Sequence, residues 1–468
     1  MNPPRTVTRS ASLATLVLAS SLLALPVAAQ SFPSDAEIQA LLDARVEAGG
    51  AVGIAIGLIE ADGTVRTFQA GSAGEGARAL DSSTLFEIGS ISKVFTGTLL
   101  ADMALTGDVS LDDPVEDYLP DGVTMPSRGG VQIALQHLST HRSGLPRLPQ
   151  NMQPADPSNP YADYTPEMMY DFLSGYELPR DVDAQFEYSN LGTGLLGFVL
   201  ANHAGADYET LLKARILGPL SMDESGIALT PEMESAMAKG HDASGAIVPL
   251  WDLPSLAGAG AIRSNVDDMV RFLAANLGEP STDLERSMRV AHEPRAEATG
   301  GQRIGLNWMN RTDDEVRVVW HNGGTAGFRT FAGFDPDAGV GAVVLTNSGI
   351  GADDIGFHLL NPELPLAPPA IPGFARRESV EVEPSVLERY VGDYQLAPGL
   401  VASFTVEEGH LFTELTGQPR IELFAASETV FFLRVVEAEF EFEVDGSGIG
   451  SAMTLRQNGQ TIRAQRVR

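Results

Sequence analysis

Phe86-Glu87-Ile88-Gly89-Ser90-Ile91-Ser92-Lys93 sets a serine three positions before one of only three lysines in the chain, the others being Lys213 and Lys239. Residues three apart share a helix face, so Ser90 and Lys93 meet if this run opens a helix. A serine hydroxyl is a poor nucleophile until a base takes its proton, and an amine can take it only when uncharged. Free backbone N–H groups at a helix start would stabilise an oxyanion formed on an acyl group attacked by Ser90. S-x-x-K is therefore an acyl-transfer arrangement, although a capping serine beside a solvated lysine produces the same four letters.

Two further segments carry matching chemistry. Tyr188-Ser189-Asn190 is the only Y-x-N among nine tyrosines. In a short extended or looped segment its first and third side chains point the same way. Tyr188 can share a proton with Lys93, and the Asn190 amide can bind a substrate carbonyl or the lysine amine. The same residues also read as a helix start capped by Asn190. The other segment is His321-Asn322-Gly323-Gly324. His203-Ala204-Gly205 fits the same H-x-G pattern, but it follows an apolar helical run and reads as a helix end. His321 follows the strand-like Val316 to Trp320, where it can border a cleft with the Gly324 N–H as an oxyanion donor.

Working outward, four segments are expected. Residues 1–29 read as a cleaved export signal, with Arg5 and Arg9, an apolar run from Ala11 to Leu25, and Val27-Ala28-Ala29 before Gln30. Residues 30–360 alternate strand and helix patterns. Ser34-Asp35-Ala36-Glu37 is a capping-box signature, Gly53 to Ile59 a buried strand, and Thr64 to Gln69 its hairpin partner. Helical patterns dominate from Ser90 to about Leu277, and strands return from Arg317 to Asn347. Strands at both ends predict an α/β (α+β) fold, one antiparallel sheet flanked by helices with an all-helical insertion, its first and last strands adjacent. Residues 361–386 form a linker, with Pro362, Pro365, Pro368, Pro369 and Pro372. Residues 387–468 carry short strands and turns expected of a small antiparallel β-barrel.

Composition narrows the partners. The chain has 31 basic and 62 acidic residues, a net charge of −31, and no cysteine. Disulfides and thiolate metal sites are excluded, and nucleic acid and anionic membranes are disfavoured. No metal cluster, phosphate loop or dinucleotide motif is present in the sequence, so neither metal nor cofactor is expected. The expected partner is a small-molecule or peptide substrate, with no stable membrane anchor, in a periplasmic or secreted location. Oligomeric state is left open.

Together and in this order, the three motifs resemble the serine β-lactamase and penicillin-binding protein superfamily, above all its class C-like branch of β-lactamases, family VIII-type esterases and D-aminopeptidases or DD-peptidases. His137-Leu138-Ser139-Thr140-His141-Arg142-Ser143-Gly144-Leu145-Pro146 and Gly258-Ala259-Gly260-Ala261-Ile262-Arg263-Ser264 extend the likeness. It implies an acyl-serine mechanism. Ser90 would be nucleophile, Lys93 base or proton shuttle, and Tyr188 a deprotonated or proton-sharing partner near two positive groups. Asn190, His321 and Gly323 would bind substrate, with the Ser90 and Gly324 N–H groups as oxyanion hole. β-Lactam hydrolysis leads, with esterase, peptidase and non-turnover penicillin-binding alternatives. One departure stands out: typical class C β-lactamases carry Lys-Thr-Gly where this chain has His321-Asn322-Gly323. Arg329 could restore positive charge there. The tail resembles the lipocalin-like C-terminal domain of some members, on Tyr390-Val391-Gly392-Asp393-Tyr394, Gly417-Gln418-Pro419 and Asn458-Gly459.

If Lys93 accepts the Ser90 proton, Lys93→Arg lowers kcat/KM by about 100-fold or more, because a guanidinium stays charged at usable pH. Steady-state hydrolysis of an activated ester measures this, and near-wild-type turnover would remove Lys93 from the base role.

Overall fold

The computed structural model describes residues 32–313, 316–367, 379–397, 400–407, 409–415, 420–433, 438–457 and 460–467. Residues 1–29, read above as an export signal, and Pro368, Pro369, Pro372, Gly417 to Pro419 and Asn458-Gly459 lie outside the described residues. Helix α1 (Asp35–Glu47) opens on the expected capping box, with the Ser34 and Glu37 side chains each satisfying the other's backbone. Strand β1 (Gly53–Ile59) and β2 (Val65–Gly71) form the hairpin.

Helix α2 (Ser92–Thr106), helix α3 (Asn190–His203) and helix α4 (Val266–Leu277) belong to the long insertion that follows. Strands return as β3 (Ala296–Glu297), β4 (Arg303–Ile304), β5 (Met309–Asp313), β6 (Val316–Gly324), β7 (Arg329–Asp335) and β8 (Val340–Thr346), before helix α5 (Asp353–Leu360). The sheet runs β2-β1-β8-β7-β6-β5-β4-β3, each neighbouring pair antiparallel. First and last strands are neighbours, Ile54 opposite Thr346 and Ile59 opposite Gly341. The insertion is mainly helical, with two short ladders: Phe86–Glu87 on Arg263–Ser264, and Gly240–His241 on Ile247–Val248.

Strand β1 is buried at all seven positions, because both sheet faces are covered. Side chains alternate across a sheet, so its residues divide between two cores. Ile54, Ile56 and Leu58 pack with Ile38 and Leu42 of α1 and Ile355 and Leu359 of α5. Ala55 and Ile59 pack with Val266 and Val270 of α4 and with the large helical core. Each buried Ile or Leu contributes roughly 1.5–3 kcal/mol. Between these residues, Gly57 lets α4 approach: a Cβ there would lie 2.5 Å from a Val270 methyl.

The sheet meets the Ser90 turn at Gly323. A Cβ on Gly323 would stand 1.9 Å from the Ile88 carbonyl oxygen and 2.3 Å from Thr330 Oγ1. That hydroxyl donates to the same carbonyl at 2.9 Å. The end of β6 thus presses directly on the segment that carries the nucleophile. On its other side the Phe86–Glu87 ladder holds that segment, and the Trp251 N–H donates to buried Glu87 at 2.7 Å.

After the proline-rich region, eight strands from Gly392–Ala397 to Gln460–Arg466 close into an antiparallel barrel. Its buried cluster is aromatic: Phe442 lies 4.4 Å from Tyr390 and 4.9 Å from Phe404, ring centre to ring centre.

Gly323→Ala should destabilise the chain by about 2–3 kcal/mol through overpacking, measured by denaturant unfolding. Ser90 reactivity should fall with it. Unchanged stability would mean that the β6 contact is not a constraint.

Candidate active site

Ser90 occupies a single 3-10 turn, Gly89–Ile91, that leads into α2. Gly89 has φ +52°, a conformation that favours glycine, and a Cβ there would lie 2.7 Å from the Gly324 nitrogen. The close approach brings the Gly324 backbone beside the nucleophile turn, the arrangement an oxyanion pair requires.

From Ser92 to Met103 every residue of α2 is buried, so the helix runs through the core and takes Lys93 with it. Lys93 is fully buried. Its Nζ lies 3.0 Å from Ser90 Oγ and donates to the Ala259 carbonyl at 2.6 Å. Burial holds the amine well below the ordinary lysine range, and the positive charge of Arg147 pushes it the same way. An uncharged amine can donate one proton to Ala259 and accept the Ser90 proton on its lone pair. The arrangement therefore fits a base.

Tyr188 completes the site, its ring centre 5.0 Å from the Lys93 amine and its phenol acted on by Ser90. Burial pushes its phenol up to about 12, opposed by the Ser90 hydrogen bond and by Arg147. Tyr188 therefore keeps its proton at neutral pH. Burial opposes a deprotonated Tyr188, and of the two groups expected to favour it the Lys93 amine is desolvated and His321 is pushed down to about 3 by burial and by Lys93. The geometry divides the roles: Lys93 can take a proton, and Tyr188 can give one.

Ser189, rather than Asn190, caps α3. Its Oγ accepts from the Gly192 N–H at 2.8 Å and donates to the Pro146 carbonyl at 2.6 Å. Asn190 is the first residue of the helix, and its N–H donates to the Arg147 carbonyl at 3.0 Å. The Asn190 side chain acts on the Tyr161 phenol, and its Oδ1 is buried without a hydrogen-bond partner among the described residues. That oxygen can accept a substrate N–H.

His321 sits on β6, its ring 6.1 Å from that of Tyr188. Its Nδ1 lies 2.6 Å from the Asn322 carbonyl, which fixes the neutral tautomer with Nε2 unprotonated. The Asn322 amide in turn donates to Asp353 on α5 at 2.6 Å. Arg329 packs its guanidinium beside Gly324 and turns its Nη1 to the Thr325 and Phe328 carbonyls at 2.5 and 2.8 Å, with Asp353 acting on its charge.

Ser90, Lys93, Tyr188, Asn190, His321, Gly323 and Gly324 thus converge from distant parts of the chain. Two groups joined them without being singled out. His141, at φ +55° and buried, accepts from the Ser189 N–H at 3.2 Å and lies 4.5 Å from the Tyr188 ring. Arg147 holds its guanidinium 5.0 Å from the opposite partner of Lys93 in the site, the Tyr188 ring. His141 lies within the quoted His137 to Pro146 run and Arg147 follows it, and only a reading of which loop borders the nucleophile would have raised them.

A serine flanked by a desolvated amine and a protonated phenol defines an acyl-transfer class of hydrolase. The family model described as Beta-lactamase matches residues 38–358, and the chain belongs to that family. A second model, Domain of unknown function (DUF3471), matches residues 376–466. The chain is similar to Penicillin-binding protein 4* of Bacillus subtilis, 28% identical over 84% of this chain and 89% of that protein. It is also similar to the D-alanyl-D-alanine-carboxypeptidase/endopeptidase AmpH of Escherichia coli, 29% identical over 74% of this chain and 92% of that one. A solved class C beta-lactamase mutant shares the fold, with TM-score 0.62 and 21% identity over 70% of this chain and 97% of that one. The chain is a serine hydrolase of this fold.

The pH profile of kcat/KM should follow from the two protonation states. Activity falls with decreasing pH as Lys93 gains a proton, and the limb lies well below the ordinary lysine pKa. It stays level through neutrality, because Tyr188 loses its proton only near about 12. Removing the Arg147 charge raises the Lys93 pKa, so Arg147→Ala should move the acid limb to higher pH. An acid limb in the ordinary lysine range would show a charged resting amine instead.

Proposed function

We propose that this chain hydrolyses amides through an acyl-Ser90 ester, acting on β-lactams and on the D-amino-acid peptides that they mimic. The observation that carries the reading is the fully buried Lys93 amine 3.0 Å from Ser90 Oγ. Lys93 accepts the hydroxyl proton as Ser90 attacks the carbonyl. The Ser90 and Gly324 N–H groups receive the oxyanion, and the Tyr188 hydroxyl protonates the leaving nitrogen. Lys93 then passes its proton on to Tyr188, and water releases the acyl group by the reverse proton path.

Two relatives are named for penicillin binding and for D-alanyl-D-alanine carboxypeptidase activity, which supports the peptide side of this reading. Ester cleavage is the second reading, favoured by a neutral His321 where a fixed cation would select for a leaving-group carboxylate. A penicillin-binding module that acylates without turnover is the non-enzymatic alternative. Export rests on residues 1–29, and among the described residues no helix is long and apolar enough to cross a membrane. The closed eight-stranded topology supports the lipocalin-like reading of the tail. Its aromatic filling supports a stabilising or contact role over a ligand cup.

The deciding measurement is kcat/KM for a chromogenic cephalosporin, an N-acyl peptide ending in D-Ala-D-Ala and a short p-nitrophenyl ester, with Ser90→Ala as blank. Ser90-dependent turnover of the first two is expected. Efficient ester cleavage with neither amide hydrolysed would move the assignment to an esterase, and acyl-enzyme persisting for hours would make it a binding module.

A further inference from the structure

The site combines several basic side chains, but only one holds a fixed charge with no acidic group acting beside it. Lys93, His141 and His321 are buried and all displaced toward their neutral forms by desolvation. Arg329 is tied to two backbone carbonyls. Arg147 remains. It is exposed, and its guanidinium carbon stands 5.0 Å from the centre of the Tyr188 ring, over which the Lys93 amine also lies at 5.0 Å.

Its surroundings leave that charge unmatched. The neighbouring Arg142 is paired with Asp183, and Arg180 with Glu187, whereas Arg147 pairs with no carboxylate among the described residues. Its field reaches Lys93, His141, Tyr161 and Tyr188, and no acidic residue acts on any of these four groups. In a chain of net charge −31, the charged group that acts on all four is therefore positive, and it is Arg147. Its backbone is also fixed: the Arg147 carbonyl accepts from the N–H groups of Asn190 and Leu191 at 3.0 and 3.3 Å. The loop that presents the guanidinium is thus bonded to the start of the helix that follows Tyr188.

We infer that Arg147 is the specificity-determining residue of this site, selecting substrates that place a carboxylate beside Tyr188. A guanidinium suits this task because it stays charged and offers a fork of donors to both carboxylate oxygens. The inference rests on the acyl-serine reading above and adds the chemistry of the substrate. The carboxylate can belong to the acyl portion or to the leaving group, and the two sources are separable.

Two matched pairs test it. Benzylpenicillin and its α-carboxy analogue differ by an acyl-side carboxylate. The m-carboxyphenyl and m-carbamoylphenyl esters of phenylacetylglycine differ on the leaving side. The readout is the charged-to-neutral ratio of kcat/KM in the wild type, Arg147→Ala, Arg147→Lys and Arg147→Glu, with Ser90 acylation followed by intact mass. In one of the two pairs, Arg147→Ala should lower the ratio roughly fivefold, an effect of the size expected of a single solvent-facing ion pair. Arg147→Lys should restore most of it, Arg147→Glu should depress it further, and added salt should weaken the wild-type preference. The change should fall in KM, whereas the loss of the Arg147 field on Lys93 affects both members of a pair alike. Equal ratios in the wild type and Arg147→Glu for both pairs, with Ser90 still acylated, would overturn the inference and leave the hydrolase reading intact. No Ser90-dependent acylation by any of the four compounds would overturn the acyl-serine reading, and this inference with it.

Discussion

Everything in the first domain is arranged around one unfavourable act, the burial of a lysine. A charged ammonium in a desolvated site costs several kcal/mol, so the group sheds its proton instead. The fold imposes this on Lys93 by passing α2 through the core, with each residue from Ser92 to Met103 buried. The neutral amine that this burial favours is what the Ser90 hydroxyl needs three residues earlier. Stability and reactivity therefore pull against each other at a single side chain, as happens where strained or desolvated groups are retained for chemistry.

The surrounding contacts hold that arrangement in place. Gly89 and Gly323 allow the nucleophile turn and the end of β6 to touch where any Cβ would separate them. Thr330 and the Phe86–Glu87 ladder secure the same turn from two sides. His141 secures the segment carrying Tyr188 through the Ser189 N–H. Each contact joins residues far apart in the chain, so the site exists only when the sheet and the helical insertion are both folded.

Much of this was legible beforehand. The spacing of Ser90 and Lys93 is a local, helical relation, and so is the Ser34–Glu37 capping box. The pairing of the first strand with the last was readable from two apolar runs of similar length at the ends of the domain. What was not legible depended on the environment rather than on residue type. Tyr188 could be read as a deprotonated partner, but burial pushes its phenol the other way. Arg329 stood at the right place in the sequence to restore charge, yet its guanidinium turns to its own loop's carbonyls. Arg147 lay one residue beyond the recognised run and carried no signal until the structure brought it to Tyr188.

The sequence by itself determined the chemistry available: one lysine in register with a serine, a single Y-x-N, an H-x-G after a strand, and no thiol. These are facts of identity and local spacing, which the backbone periods convert directly into neighbours. The tertiary structure alone decided the state of each group. Proton affinity depends on desolvation and on charges brought near through space, and neither is encoded in the distance between residues along the chain. That is why the nucleophile and its base could be read from eight residues, whereas the charge that faces the substrate could not.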